Sequence, residues 1–248
     1  SDDIKWAKEF IAGVGDSGDR RITSNGMRLD RLIGKWGNWG KRRVREHFEA
    51  GEGSVNGERV EEAARLVGKF DRIEVSGKVV QAEIRRVIIL NKPLGVVSAT
   101  KDPEHPTVID LIERPWASGL HLAGRLDRYT SGLMILTNDG EFSESLTKPA
   151  QKVGKRYLVE VDGLISQEVV EVFEEGMWFA KEEITTAPAK VELIEDSRCR
   201  LIIYEGKHHQ VKRMFARFGL KVIALHREAI GEIELPDDLP MGAWRELE

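Results

Sequence analysis

Beyond residue 85 the chain is a succession of short strand-forming runs, at 86–91, 95–99, 120–123, 132–137, 156–162, 189–194, 199–204, 221–226 and 230–235. Apolar residues at helical spacing occur in fewer stretches there, at 107–113, 140–147, 166–175 and 208–218. Many neighbouring runs are separated by only a few turn residues, which suits antiparallel connections. The pattern predicts an α+β domain over 86–248, built on a mixed, largely antiparallel sheet. A chain of 248 residues leaves room for a second, smaller domain.

That smaller domain is expected at 27–78. Leu29, Leu32 and Ile33 sit at helical spacing, and Val44 and Phe48 continue the pattern in a second helix after the breakers Gly37 and Gly40. Asn56-Gly57 is a strong two-residue hairpin turn between short β segments. Residues 71–78, DRIEVSGK, read as a further strand, and 79–85 as a linker. Residues 1–26 read as a partly disordered extension. Gly13, Gly15 and Gly18 there match a dinucleotide-binding pattern, but no strand precedes them and no apolar helix follows, so they receive no role.

The apolar fraction of 41% supports a buried core, and runs such as VIIL at 87–90 are far too short to span a membrane. No charged-then-apolar amino-terminal segment is present. The single cysteine, Cys199, excludes an internal disulfide and a cysteine-rich metal site and suits a reducing compartment, so the cytoplasm is the expected location. Net charge is −4, yet its distribution is uneven. Arg20, Arg21, Arg28, Arg31, Lys35, Lys41, Arg42, Arg43 and Arg45 crowd residues 20–50, and residues 205–227 set Lys207, Lys212, Arg213, Arg217, Lys221 and Arg227 against Glu205 alone. The stretch after 227 is acidic. Local basic patches on an acidic chain mark a surface for a polyanion, or else solvated helix faces.

The densest motif is GRLDRYTSGLMILTNDG, Gly124 to Gly140. It reads as a charged loop running into an apolar strand and a turn. Arginines on both sides of Asp127 favour its ionised form, and a loop mounted on a rigid strand is a good place for a catalytic group. Taken alone, the residues equally suit an aspartate that caps a turn and pairs with Arg125 or Arg128.

GRLDRYTSGLMILTNDG resembles the catalytic motif of the RsuA branch of the pseudouridine synthases. Asn91-Lys92-Pro93-Leu94-Gly95 resembles that family's NKPxG segment, Lys155-Arg156-Tyr157-Leu158-Val159 its K-x-Y-x-V strand, and Glu205 to Phe215 its EGxxHQVKRMF helix. The resemblance covers residues 27–248. It implies that Asp127 is the catalytic carboxylate, Tyr157 an active-site residue and Lys212 the basic partner of Asp127. Arg125, Arg128, His208, His209, Gln210 and Arg213 are the expected RNA contacts around them. Arg28-Leu29-Asp30-Arg31-Leu32-Ile33, the basic helix at 41–48 and Gly53-Ser54-Val55-Asn56-Gly57 resemble the small RNA-binding domain of ribosomal protein S4. That likeness implies RNA contacts by Arg28, Arg31, Lys41, Arg42, Arg43 and Arg45. The second helix lacks the usual serine-arginine pair and offers Gly40-Lys41-Arg42-Arg43 instead.

Within the branch, SATKDPEHPTVIDLIERP, the His-Gln-Val-Lys wording and LHREAIGEIEL resemble the member acting on small-subunit (16S) rRNA. The implied reaction converts one uridine to pseudouridine, needs no cofactor or metal, and uses Asp127 either to attack the sugar or to assist proton removal. The implied partner is ribosomal RNA within a precursor small-subunit particle, met by a monomer. The alternatives are a member acting on large-subunit (23S) rRNA, a non-catalytic rRNA-binding or assembly protein, and an unrelated hydrolase.

Overall fold

The computed structural model describes residues 26–207 and 209–247. The glycine-rich motif at 13–18 and His208 lie outside the described residues. The chain divides into two compact units between Arg85 and Arg86.

In the smaller unit, β1 (Met27–Arg28) pairs with β4 (Leu66–Val67) and leads into α1 (Leu29–Gly37) and α2 (Lys41–Glu49). Leu29 and Ile33 of α1 and Val44 and Phe48 of α2 are buried with Val55, Val67, Ile73 and Val75, so the apolar stripe of each helix makes the core. A four-stranded antiparallel sheet runs β3 (Glu58–Arg59), β2 (Gly53–Val55), β5 (Ile73–Val75), β6 (Lys78–Gln81). Asn56 and Gly57 both adopt positive φ, 53° and 82°, the signature of the twisted two-residue turn expected there. The DRIEVSGK stretch is not one strand. Ser76 and Gly77, at φ 51° and 77°, fold it into a second hairpin whose return strand β6 takes up residues 79–81, expected as linker.

The larger unit holds a nine-stranded sheet in the order β13 (Lys190–Glu195), β14 (Arg198–Ile203), β10 (Lys155–Val161), β15 (Val222–Ile230), β9 (Ser131–Thr137), β7 (Val87–Lys92), β17 (Trp244–Leu247). β8 (His121–Leu122) pairs with β9, and β16 (Ile233–Glu234) with β15. Every pairing is antiparallel except β15 with β9. The expected mixed sheet is therefore present. The helices are α3 (Gly140–Thr147), α4 (Gln167–Glu175) and α5 (Gln210–Ala216), and a two-strand ribbon joins β11 (Trp178–Phe179) to β12 (Ile184–Thr185). Alternate residues of β7 and β9 enter two different cores: Ile88, Leu90, Met134 and Leu136 face one, Val87, Ile89, Leu133 and Ile135 the other. Burial on both faces explains why these strands read as unbroken apolar runs. Cys199 is buried in the first core, and burial pushes its thiol up to about 12, so it serves packing rather than reactivity.

Two expected elements are absent. Residues 95–99 form only a single bridge, Val97 to Thr107, in which Val97 N donates to Pro106 O and Val97 O accepts from Val108 N, while the Ser98 hydroxyl binds Leu126. Residues 107–113 bury Val108 and Ile112 at helical spacing but close three-residue turns, Asp110 N to Thr107 O and Ile112 N to Ile109 O. The Asp110 carboxylate also binds the Thr107 amide, a local competitor of the helix. The run at 221–226 extends to Ile230 in one long strand, β15, and the run at 230–235 turns at Gly231 into the short partner strand β16.

Candidate active site

Asp127 sits on the loop between β8 and β9, and buried donors on either side fix that loop. Ser98 Oγ donates to Leu126 O at 2.6 Å and accepts from Leu126 N at 3.0 Å. Lys92, fully buried at the end of β7, donates from Nζ to Thr130 O (2.8 Å), Arg128 O (3.2 Å) and Pro93 O (3.0 Å). The loop is wrapped around an ammonium group. Burial pushes that ammonium down to about 8, with the negative charge of Asp127 acting in the opposite direction. Lys92 stood in a quoted motif but received no role from sequence. Three backbone carbonyls converging on one lysine are visible only once β7 and β9 lie side by side.

Downstream of the loop, Gly132 adopts φ +112°, and a Cβ there would lie 2.2 Å from Arg227 O. Only glycine admits that approach of β9 to β15. Arg227, 1% exposed, donates through Nε to Leu133 O at 2.9 Å. Tyr157 opposes Arg227 on one side and Leu201 on the other, beside an irregularity between Arg156 and Tyr157. It is buried in the same core as Met134 and Met214, and its hydroxyl makes no hydrogen bond among the described residues. Lys155 lies two residues earlier. Burial lowers its ammonium, Arg227 adds to the effect, and Glu205 opposes it.

The expected charge partners of Asp127 are rearranged. The Asp127 side chain is 41% exposed, and its ionic contact is His209 Nε2, 3.3 Å from Oδ2. His209 takes φ +49° at the start of α5, a left-handed turn that swings its ring to the carboxylate. Lys212 makes no ion pair with Asp127 among the described residues. It is half-buried on α5, whose apolar side is set by Gln210, Val211, Met214 and Phe215. Neither flanking arginine pairs with Asp127. Arg128 donates to Gly95 O, and Arg125 is exposed.

Two expected RNA contacts are engaged elsewhere. Gln210 is 5% exposed and donates to Glu205 Oε1 at 2.8 Å, so it pins the α5 start to the Glu205 loop. Arg213 pairs with Glu182 and lies over the Phe179 ring. In the smaller unit, Arg31, Lys41, Arg42, Arg43 and Arg45 are exposed. Arg28 binds Asp30 at 2.7 Å, Arg42 binds Glu46 at 3.1 Å, and Arg43 lies 4.4 Å above Trp39, which itself stacks on His47. α2 starts at Gly40 without a side-chain cap.

The family model for RNA pseudouridylate synthase matches residues 86–217. The chain belongs to that family. A ribosomal small subunit pseudouridine synthase A from Pseudomonas aeruginosa is 43% identical over 222 residues, covering 89% of this chain and 96% of the relative. The protein of the same name from Escherichia coli K12 is 39% identical over the same share of each. Among solved structures, a pseudouridylate synthase superposes with a TM-score of 0.65 at 34% identity, covering 90% of this chain and 96% of that one. This pseudouridine synthase therefore carries, on its shared sheet, the loop with Asp127, the strand with Tyr157 and the helix with Lys212. No helix among the described residues is long and apolar enough to cross a membrane.

Proposed function

We propose that this pseudouridine synthase isomerises one uridine of small-subunit ribosomal RNA, with Asp127 as the catalytic carboxylate. The observation that carries the assignment of Asp127 is its mounting: a half-exposed carboxylate on a loop that Lys92 and Ser98 hold from below. The small-subunit target follows the relatives, which are named for it along nearly their whole length.

The reaction breaks the bond from ribose C1′ to N1, turns the base, and joins C1′ to C5. The C5 proton leaves and N1 ends protonated, so redox state is unchanged. Asp127 acts at the sugar, by attack or by assisting proton removal. His209 orients the carboxylate, and Lys92 anchors the loop that carries it. Lys212, on the same helix as Val211 and Met214, takes the role of a second cation toward the carboxylate once RNA fills the site. Tyr157 presents its ring to the uracil, and its hydroxyl, without a hydrogen bond among the described residues, is suited to moving the C5 proton. Arg31, Lys41, Arg42, Arg43 and Arg45 form an RNA-binding face of the smaller unit, read as S4-like, and Arg125 and His209 extend contacts at the larger one. The same reading makes the enzyme a cytoplasmic monomer acting on a precursor small-subunit particle.

Asp127→Asn keeps shape and removes charge. Tritium release from C5-labelled uridine in small-subunit rRNA should vanish, while RNA affinity stays within about twofold because the cationic faces are intact. Full turnover in this variant would reject Asp127. Mapping pseudouridine after incubation with both rRNAs, free and in partly assembled particles, decides the target. Product confined to large-subunit rRNA would overturn the small-subunit assignment.

A further inference from the structure

Two large apolar side chains are exposed on the segments that follow Lys92 and Asp127: Leu94 is 60% exposed and Tyr129 62%. Single exposed apolar residues are ordinary, but these two ride on loops tied to each other. Gly95 N donates to Arg128 O at 2.8 Å, and Arg128 Nε donates back to Gly95 O at 3.2 Å. The Arg128 guanidinium lies 5.2 Å from the centre of the Tyr129 ring. Lys92 holds the backbone on both sides of Tyr129, through Arg128 O and Thr130 O. Arg125, four residues earlier, is exposed and makes no ion pair among the described residues. Tyr129 is thus an aromatic ring on a firmly held backbone, two residues after the carboxylate, with Arg125 and Arg128 both preceding it in the same loop.

We propose that Tyr129 is a stacking platform for the nucleobase adjoining the target uridine, with Arg125 holding the neighbouring phosphate. Only the identity of that neighbour rests on the isomerase reading; the platform itself is a site for an unpaired base in single-stranded RNA. A uridine that leaves its stack uncovers the face of the next base. An aromatic ring fixed nearby covers that face and lowers the energy of the opened RNA. Every base has such a face, so the platform adds affinity without choosing sequence, and Leu94 widens its apolar margin.

The test uses the full chain, oligouridylate and unmodified small-subunit rRNA, with Tyr129→Phe, Tyr129→Leu, Tyr129→Ala and Arg125→Gln. Tyr129→Phe should bind within about twofold of wild type. Tyr129→Leu and Tyr129→Ala should each bind about tenfold more weakly, the range of one lost base stack. Their thermal midpoints should not move, because the side chain is exposed. Their salt slopes should not move either, because no charge is lost, whereas Arg125→Gln should lower the slope by about one. Ultraviolet cross-linking of the oligouridylate complex should modify Tyr129. Wild-type affinity in Tyr129→Ala would overturn the platform, and so would Tyr129→Phe binding as weakly as Tyr129→Ala, since the hydroxyl rather than the ring would then matter. Tritium release by wild type, measured on the same preparations, judges the isomerase reading separately: binding without release rejects that reading, while the affinity ratios still decide the platform.

Discussion

Lys92 and His209 both bear on Asp127, and their exposure separates what each does. Lys92 is fully buried and donates to three carbonyls, so Lys92→Met strands Pro93, Arg128 and Thr130 oxygens without donors. A stability loss on the order of 3 kcal/mol is expected, read as a lowered denaturant midpoint. The same lysine sets a pH dependence. Its ammonium titrates at about 8 in the folded chain against an ordinary value of 10.5. The folded state therefore sheds a proton that the unfolded chain keeps, and this group's contribution to stability rises between pH 8 and 10.5. Activity should move the other way, falling above about pH 8 as the cation beside Asp127 is lost. Lys92→Arg, which stays charged, should shift that fall upward, and identical pH profiles would refute the link. His209 makes a half-exposed contact, so His209→Ala should lower kcat by no more than about fivefold, with KM little changed. His209→Gln, which keeps a donor, should recover most of it. The position of Asp127, on a loop running into the apolar strand β9, was readable from its own motif. Its partner was not, because 82 positions separate Asp127 from His209, and only the left-handed start of α5 brings the ring across.

Strands and helices with strong periodicity were legible, and those that depend on one side chain were not. The β9 run and the helix at 140–147 were readable from apolar pattern, and the structure adds the cap: the Asp139 carboxylate accepts from Glu141 N. The loop at 95–99 looked like a strand because its residues favour one, yet Ser98 ties it to Leu126 and gives the site its second anchor. Short strands such as β11 and β12 carry too few residues to show a period, and β17 is held by pairing with β7 rather than by its own sequence. Gly132 joins the catalytic loop to the sheet, and Gly132→Ala should cost on the order of 3 kcal/mol from the clash with Arg227 O and the strained φ. A wild-type thermal midpoint in that variant would contradict the described register of β9 and β15. On α2, Arg42→Glu with Arg43→Glu removes two exposed cations whose local partners are a largely solvated glutamate and the Trp39 ring. RNA affinity should drop and the slope of its salt dependence should flatten by about two, with stability nearly unchanged. An unaltered slope would take the RNA role away from this helix.

Among the described residues each unit has apolar clusters of its own. One apolar cluster is made wholly from residues between Leu29 and Val80, and the other two from residues between Val87 and Leu247. A unit with its own core folds by itself as a rule, so the chemistry and much of the RNA affinity reside in separable parts. The sequence reading put a linker at 79–85 and the larger domain from 86; the chain divides at Arg85/Arg86, and β6 takes up the linker's first residues as far as Gln81. The units also differ in what they offer to RNA. The smaller presents exposed cations on α1 and α2, while in the larger Arg213 and Gln210 are spent on internal contacts. A chain beginning at Arg86 should therefore fold with a cooperative melt and still release tritium from C5-labelled rRNA. Its kcat should stay within a few-fold of the whole chain, because Asp127, Tyr157, Lys92 and His209 all remain. Its KM should rise by one to two orders of magnitude, and its salt slope should shrink, because each cation removed with the smaller unit returns about one condensed counterion to the RNA. Equal KM and equal slope in the two chains would mean that the cations of α1 and α2 do not meet RNA. Loss of kcat with KM unchanged would mean that the smaller unit takes part in the chemistry itself.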